Sequence, residues 1–201
     1  MNLTTELHNS WTHKLARSAV RPLVGSWVTP NHLTTGRLLF GIAACAALAM
    51  GERRFEIWGG GLWIMSAFLD RADGELARLG GKITPGGHSY DYFCDVLVNA
   101  LFFVAVGFAL RDGTLGLWAP VMGIAAGASI AAASVLSETL EKRDGSGDKA
   151  YVGIAGFDFD DALYLLGPLA WLDWLAPVLV GAAVASPAIA ALTYVRLRRH
   201  G

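Results

Sequence analysis

The chain has 201 residues, of which 54% are hydrophobic and 16% charged, with a formal net charge of −1. That length fits one domain. Its apolar content, spread over long uncharged runs, excludes an ordinary soluble domain and predicts an all-α protein that crosses a membrane several times. No nucleic-acid partner is expected. Cys45 and Cys94 lie in separate segments and read as small buried residues, not as a disulfide.

Residues 3–24 predict an amphipathic helix that does not span. Leu7, Trp11, Leu15, Ala19 and Leu23 recur every four residues, with Lys14, Arg17 and Arg21 among them. This is the cationic pattern of a helix lying in the headgroup region; the plainer alternative is a helix packed on the cytosolic face of the domain. The order of segments that marks a secretory signal is absent.

The stretch "TPNHLTTGR" opens a first span at about 31–50. Pro30 suits a first helical turn, and Asn31 or Thr34 is the candidate cap. Arg37 inside the span either snorkels to the near interface or contacts an anion in a polar cavity. Further spans are expected at about 55–78, 88–110 and 115–138, by their apolar runs. The fourth holds Gly123 and Gly127 as a GxxxG, which lets helices approach closely within the chain or across a homodimer. "ETLEKRDGSGDKAYVG" is a polar connection. Asp158, Asp160 and Asp161 then open a short fifth span at about 158–172, and a sixth at about 174–195 ends in "RLRRH". The expected fold is thus one membrane-embedded domain over 1–201: a polytopic bundle of six transmembrane helices preceded by an interfacial helix.

Orientation follows from the basic residues. With the N-terminus inside, the cytosolic segments hold Lys14, Arg17, Arg21, Arg71, Arg78, Lys82, Lys142, Arg143, Lys149, Arg196, Arg198 and Arg199, against Arg53, Arg54 and Arg111 outside. The positive-inside rule then puts both termini, and residues 70–95, on the cytosolic side.

Residues 70–95, "DRADGELARLGGKITPGGHSYDYFCD", carry the chemistry. Asp70 and Asp73 are three apart, Asp91 and Asp95 four apart, so on helices each pair shares a face. Carboxylates at membrane depth are costly and mark function. At about 100° per residue, Asp70, Asp73, Gly74, Ala77 and Arg78 fall together, with Leu76 opposite. Gly87, Asp91, Asp95 and Asn99 follow one another on the second helix. Two acidic faces suit a hard divalent cation. Gly and Ala allow close approach of a flat ligand, and Arg offers a fork for phosphate oxygens. The residues therefore point to metal-assisted transfer at a phosphate or pyrophosphate.

Asp70, Asp73, Gly74, Ala77, Arg78, Gly87, Asp91 and Asp95 match D-x2-D-G-x2-A-R-x8-G-x3-D-x3-D at every position. In this the chain resembles the CDP-alcohol phosphotransferases (CDP-alcohol phosphatidyltransferases), and more loosely so in "TPNHLTTGR" and overall hydropathy. The resemblance implies a phospholipid-synthesising transferase of bacterial or archaeal inner-membrane type, commonly a homodimer. In it an acceptor hydroxyl attacks the β-phosphoryl of a CDP-linked alcohol and CMP leaves. It makes Asp70, Asp73, Asp91 and Asp95 the ligands of Mg²⁺ or Mn²⁺, expected as two ions. Asp95 is the general base, with Asp91 beside it in the catalytic pair. Asp73, Gly74, Ala77, Arg78 and Gly87, together with Thr34, become the CDP contacts. The donor is expected to be CDP-diacylglycerol and the acceptor a small alcohol. The alternative is a CDP-headgroup donor with a lipid alcohol acceptor.

A cation- or proton-coupled transporter would also bury acids, but it has no need of Gly74, Ala77 and Arg78 on the acid face. A scaffold without activity has no need of the complete motif. His88, Asp158, Asp160 and Asp161 form a possible acceptor region, whose acidic rim favours a non-phosphorylated alcohol. Glu75 reads as a solvated or hydrogen-bonded neighbour of the acid face, and Tyr90 and Tyr92 as interface aromatics.

Overall fold

A computed structural model describes residues 11–81, 86–144 and 162–199. Every regular element among them is helical: α1 (Trp11–Val20), a 3₁₀ turn (Arg21–Leu23), α2 (Pro30–Ala49), α3 (Arg53–Gly80), α4 (Gly87–Ala109), α5 (Trp118–Asp144), α6 (Ala162–Trp171) and α7 (Leu175–Arg199).

Four of these, α2, α4, α5 up to Leu140 and α7, are long and apolar enough to cross a membrane. The expected count of six is therefore not met by the described helices alone, and the two that fall short do so for different reasons. Helix α3 carries Arg53, Arg54 and Glu56 at its start and Asp70, Arg71, Asp73, Glu75 and Arg78 in its second half. Its 28 residues reach about 42 Å, longer than the roughly 30 Å hydrocarbon core, so its charged last turns need not lie in lipid. Helix α6 is only 10 residues long as described. The expected beginning of that span at 158, like residues 3–10 of the N-terminal helix, lies outside the described residues.

The bundle packs by close backbone approach and aromatic filling. Trp63 of α3 meets Phe102 of α4 at 4.3 Å between ring centroids, within a core that includes Leu48, Val98, Val106, Leu175 and Leu179. Leu39, Phe40, Val184 and Leu192 point outward, as expected where the surroundings are as apolar as the core and packing drives association. The GxxxG of α5 is used within the chain. A Cβ on Gly123 would stand 2.5 Å from the Phe103 carbonyl oxygen, and one on Gly127 2.6 Å from that of Ala100. Both carbonyls belong to α4, so these two glycines are already occupied by that helix. Cys45 and Cys94 are buried and free.

Helix α1 lies against α3 by a mixed face, with Val20 packed on Ala72 and Leu76. Thr12, His13, Ala16 and Val20 are buried, whereas Trp11 and Leu15 of the apolar stripe are each 54% exposed. Helix α6 is strapped to α3 by hydrogen bonds that include Trp63 Nε1 to the Leu163 carbonyl (2.8 Å), Tyr164 Oη to that of Ala67 (2.9 Å), Trp171 Nε1 to that of Ile57 (2.9 Å) and Arg53 Nη1 to that of Ala170 (2.8 Å). Helix α2 packs against both α3 and α4, and α1 packs against α3, so α2 stands beside both motif helices. All eight motif residues belong to α3 and α4.

Candidate active site

Helix α2 begins with Thr29 as its N-cap and Pro30 in the first turn. His32 Nδ1 accepts the Thr29 N–H at 3.1 Å. The cap is thus Thr29, one residue before the helix, and not Asn31 or Thr34, because the chain turns helical at Pro30. This leaves Thr34 a turn inside the helix, buried, where its hydroxyl lies 2.8 Å from Asp73 Oδ2 and 3.2 Å from the Pro30 carbonyl. With one proton to give, the shorter contact to a carboxylate is the stronger. Thr34 fixes Asp73.

One turn further, Arg37 is 3% exposed. Burying a guanidinium alone would cost several kcal/mol, and three carboxylates compensate it. Nη1 stands 2.7 Å from Asp70 Oδ1 and 3.4 Å from Asp91 Oδ1, and Nη2 stands 2.5 Å from Asp95 Oδ1. Asn99 Nδ2 donates to the same Asp95 oxygen at 2.7 Å. Of the two readings of Arg37, the structure favours a polar role inside the bundle over snorkelling, with the aspartates of α3 and α4 as its anions. A small cavity of mixed lining, with Arg37, Ser66, Asp70 and Asn99 on one side and Trp63 and Val98 on the other, adjoins the cluster.

Asp70, Asp73 and Asp91 each turn one oxygen to a common point, all within 4.8 Å of one another. Opposed ligands of a hard divalent ion, at oxygen contacts of about 2.0–2.6 Å, are about 4–5 Å apart. The donor set is all oxygen, which is what such an ion takes. Three aspartates meet the one guanidinium of Arg37, and Asp73, held by Thr34, stands beside them, so acids outnumber the cation here. These residues fit a divalent cation. Asp95 reaches the cluster through Arg37.

Glu75 is more than a solvated neighbour. It is 1% exposed. Oε1 receives His13 Nδ1 (2.9 Å), Arg78 Nη2 (2.8 Å) and Arg17 Nη2 (3.5 Å), and Oε2 receives Arg17 Nε (2.8 Å). Arg71 Nη1 lies 3.3 Å from His13 Nε2. The guanidinium of Arg78 also lies along Gly74: a Cβ there would meet Nη2 at 3.4 Å and Nη1 at 3.5 Å. The sequence holds traces of this second cluster, since Arg71 and Glu75 are four apart on α3, as are His13 and Arg17 on α1.

Ala77 is half-buried on the same helix, and Gly87 begins α4 after Gly86 in a left-handed N-cap (φ +79°). His88 is exposed in that first turn. Tyr90 is tied to Thr35 by a 3.0 Å hydroxyl contact, and Tyr92 is half-buried. Asp158, Asp160 and Asp161 lie outside the described residues.

No curated protein sequence matches the chain. Among solved structures it is similar to the Mycobacterium tuberculosis phosphatidylinositol phosphate synthase determined with CDP-DAG bound. The TM-score is 0.57 at 18% sequence identity, over 94% of this chain and 91% of that one; at that identity the likeness establishes the fold. The family model for CDP-alcohol phosphatidyltransferase matches residues 27–192, which span both carboxylate-bearing helices and most of the chain. The chain belongs to the CDP-alcohol phosphatidyltransferase family, and is a transferase of substituted phosphate groups.

Proposed function

We propose that this protein transfers the phosphatidyl group of CDP-diacylglycerol to the hydroxyl of a non-phosphorylated alcohol and releases CMP. The observation that carries the reading is the convergence of Asp70, Asp73 and Asp91 within 4.8 Å, beside the Gly74–Arg78 face. The fold it shares with a protein determined with CDP-DAG bound supports the choice of donor.

Asp70, Asp73 and Asp91 would hold Mg²⁺ or Mn²⁺, with Asp95 close enough through Arg37 to border a second ion. Bound there, the metal neutralises pyrophosphate charge and polarises the phosphoryl oxygens. The chain's own groups do the rest. Arg78 donates to the donor's phosphates, and Gly74, Ala77 and Gly87 leave room for the nucleotide. Thr34, the other expected CDP contact, acts through Asp73. The acceptor oxygen forms its bond to the β-phosphorus as the bond from that phosphorus to the CMP oxygen breaks, and CMP takes that electron pair. The acceptor proton passes to Asp95. Its Oδ1 is held by Arg37 and Asn99, so Oδ2 is the base oxygen. Such catalysis rests mainly on positioning and charge neutralisation.

In the membrane, the outward Trp11 and Leu15 of α1 suit a helix lying in the headgroup layer. The basic residues favour a site open to the cytosol of a bacterial or archaeal inner membrane. A homodimer would use a surface other than the Gly123–Gly127 face.

The test is to incubate purified protein with CDP-diacylglycerol, Mg²⁺ and serine, ethanolamine, inositol phosphate or glycerol phosphate in turn, and to measure CMP. Release with a non-phosphorylated alcohol, abolished by chelation and by Asp95→Asn, is expected. Selectivity for a phosphorylated alcohol would overturn the acceptor assignment. Turnover of a CDP-headgroup with diacylglycerol would overturn the donor.

A further inference from the structure

We infer that helix α1 is a working part of the donor site: through Glu75 it sets the guanidinium of Arg78 at the place where the donor's phosphates bind. This rests on the reading that Arg78 contacts those phosphates. Glu75 is the hub. Its carboxylate, 1% exposed, takes donors from two helices, His13 and Arg17 of α1 and Arg78 of α3.

The geometry defines what each partner contributes. Arg78 is held from two sides, by Glu75 Oε1 at 2.8 Å and by the bare backbone of Gly74. An arginine side chain that is free to rotate loses rotamer entropy when a ligand orders it. One that is already oriented does not, and its remaining N–H groups stay available. A carboxylate devoted wholly to Arg78 would also compete with phosphate for it. Glu75 does not, because its charge is shared with Arg17 at 2.8 Å. Two guanidiniums, Arg17 and Arg78, thus share the one carboxylate of Glu75, which leaves Arg78 able to meet an anion. Helix α1 therefore both orients Arg78 and offsets the carboxylate that does the orienting. Glu75 and Arg17 are positioning residues that act through Arg78.

A double-mutant cycle on the full-length protein tests this. Affinity for CDP in the presence of Mg²⁺ is measured by calorimetry for wild type, Glu75→Gln, Arg17→Gln, Arg78→Ala and the pairs with Arg78→Ala. Glu75→Gln is expected to weaken CDP binding about tenfold and Arg17→Gln about threefold, in keeping with the loss of charge-assisted hydrogen bonds. In the Arg78→Ala background both changes should have no further effect. Full additivity would show that Glu75 and Arg17 act by another route and would overturn the inference, as would wild-type affinity in both single variants. If Arg78→Ala itself leaves CDP affinity unchanged, the donor-site reading fails and takes the inference with it. Should Glu75→Gln not fold, Arg17→Gln carries the same test, since its side chain is 37% exposed.

Discussion

Arg37 Nη1 lies 2.7 Å from Asp70 Oδ1, joining α2 to the carboxylates of α3 while Nη2 holds Asp95 of α4. One guanidinium thus organises the acids of both motif helices. Arg37→Met should leave three carboxylates crowded without their cation. The aspartates are 30–42% exposed at their side chains, so the cost sits between surface and buried pairs, at about 2 kcal/mol. Thermal unfolding in detergent should show this loss without metal and a partial recovery on adding Mg²⁺. An unchanged midpoint in both conditions would contradict it.

Thr34 is expected to govern metal affinity through Asp73, since its hydroxyl is 2.8 Å from Asp73 Oδ2. Thr34→Val removes the donor while keeping the shape and should weaken Mn²⁺ binding by about 10- to 100-fold, the usual effect of losing a group that orients a ligand. Thr34→Ser should restore most of it. Calorimetry with Mn²⁺ measures both.

Much of this site could be read from the chain itself. The spacing of Asp70, Asp73, Asp91 and Asp95 gave the two acid faces, and hydrophobic runs gave α2, α4 and α7 to within a few residues, whereas α5 stays helical past its expected end at 138 into the polar stretch, through Asp144. The roles of Arg37 and Glu75 could not be read in the same way. Periodicity assigns a residue to a face of its own helix, but Arg37 and Glu75 are defined by partners on other helices; His13 and Glu75 are 62 residues apart. Composition alone also does not sort α3, where one continuous helix carries both an apolar stretch and the charged motif residues. The GxxxG left two outcomes open because its spacing says that something approaches closely, not what.

That last point gives a prediction for α5. Gly127→Val would put a side chain against the Ala100 carbonyl, where even a Cβ would stand 2.6 Å away. Overpacking of this kind costs about 1–3 kcal/mol. Lower thermal stability with the oligomeric state unchanged by size exclusion and light scattering is expected. Dissociation of a dimer into stable monomers would instead assign this face to a subunit contact.

His13 predicts a pH effect on stability. Burial, and next the Arg71 guanidinium, hold its pKa below the ordinary 6.5. Glu75 opposes that shift, while Arg78 adds to it and Arg17 binds the same carboxylate. A neutral ring that donates from Nδ1 to Glu75 and accepts at Nε2 from Arg71 accounts for both contacts. As the pH falls below 6.5 the unfolded chain takes up a proton here that the folded chain does not, so stability falls with pH. The stabilisation is complete above 6.5 and is lost below it. His13→Gln should flatten this limb, seen as a smaller difference in unfolding midpoint between pH 7.5 and 5.5 than in wild type. Equal slopes would contradict the assignment.

The central claim is that Asp70, Asp73 and Asp91 hold a divalent cation against the phosphates of the cytidine nucleotide. Paramagnetic broadening of the ³¹P resonances of CDP by Mn²⁺ on the purified protein tests it most directly. The account predicts strong broadening of the β-phosphate signal in wild type, lost in Asp73→Asn and in Asp91→Asn. Broadening of equal size in those variants, or none in wild type while CDP is bound, would contradict it.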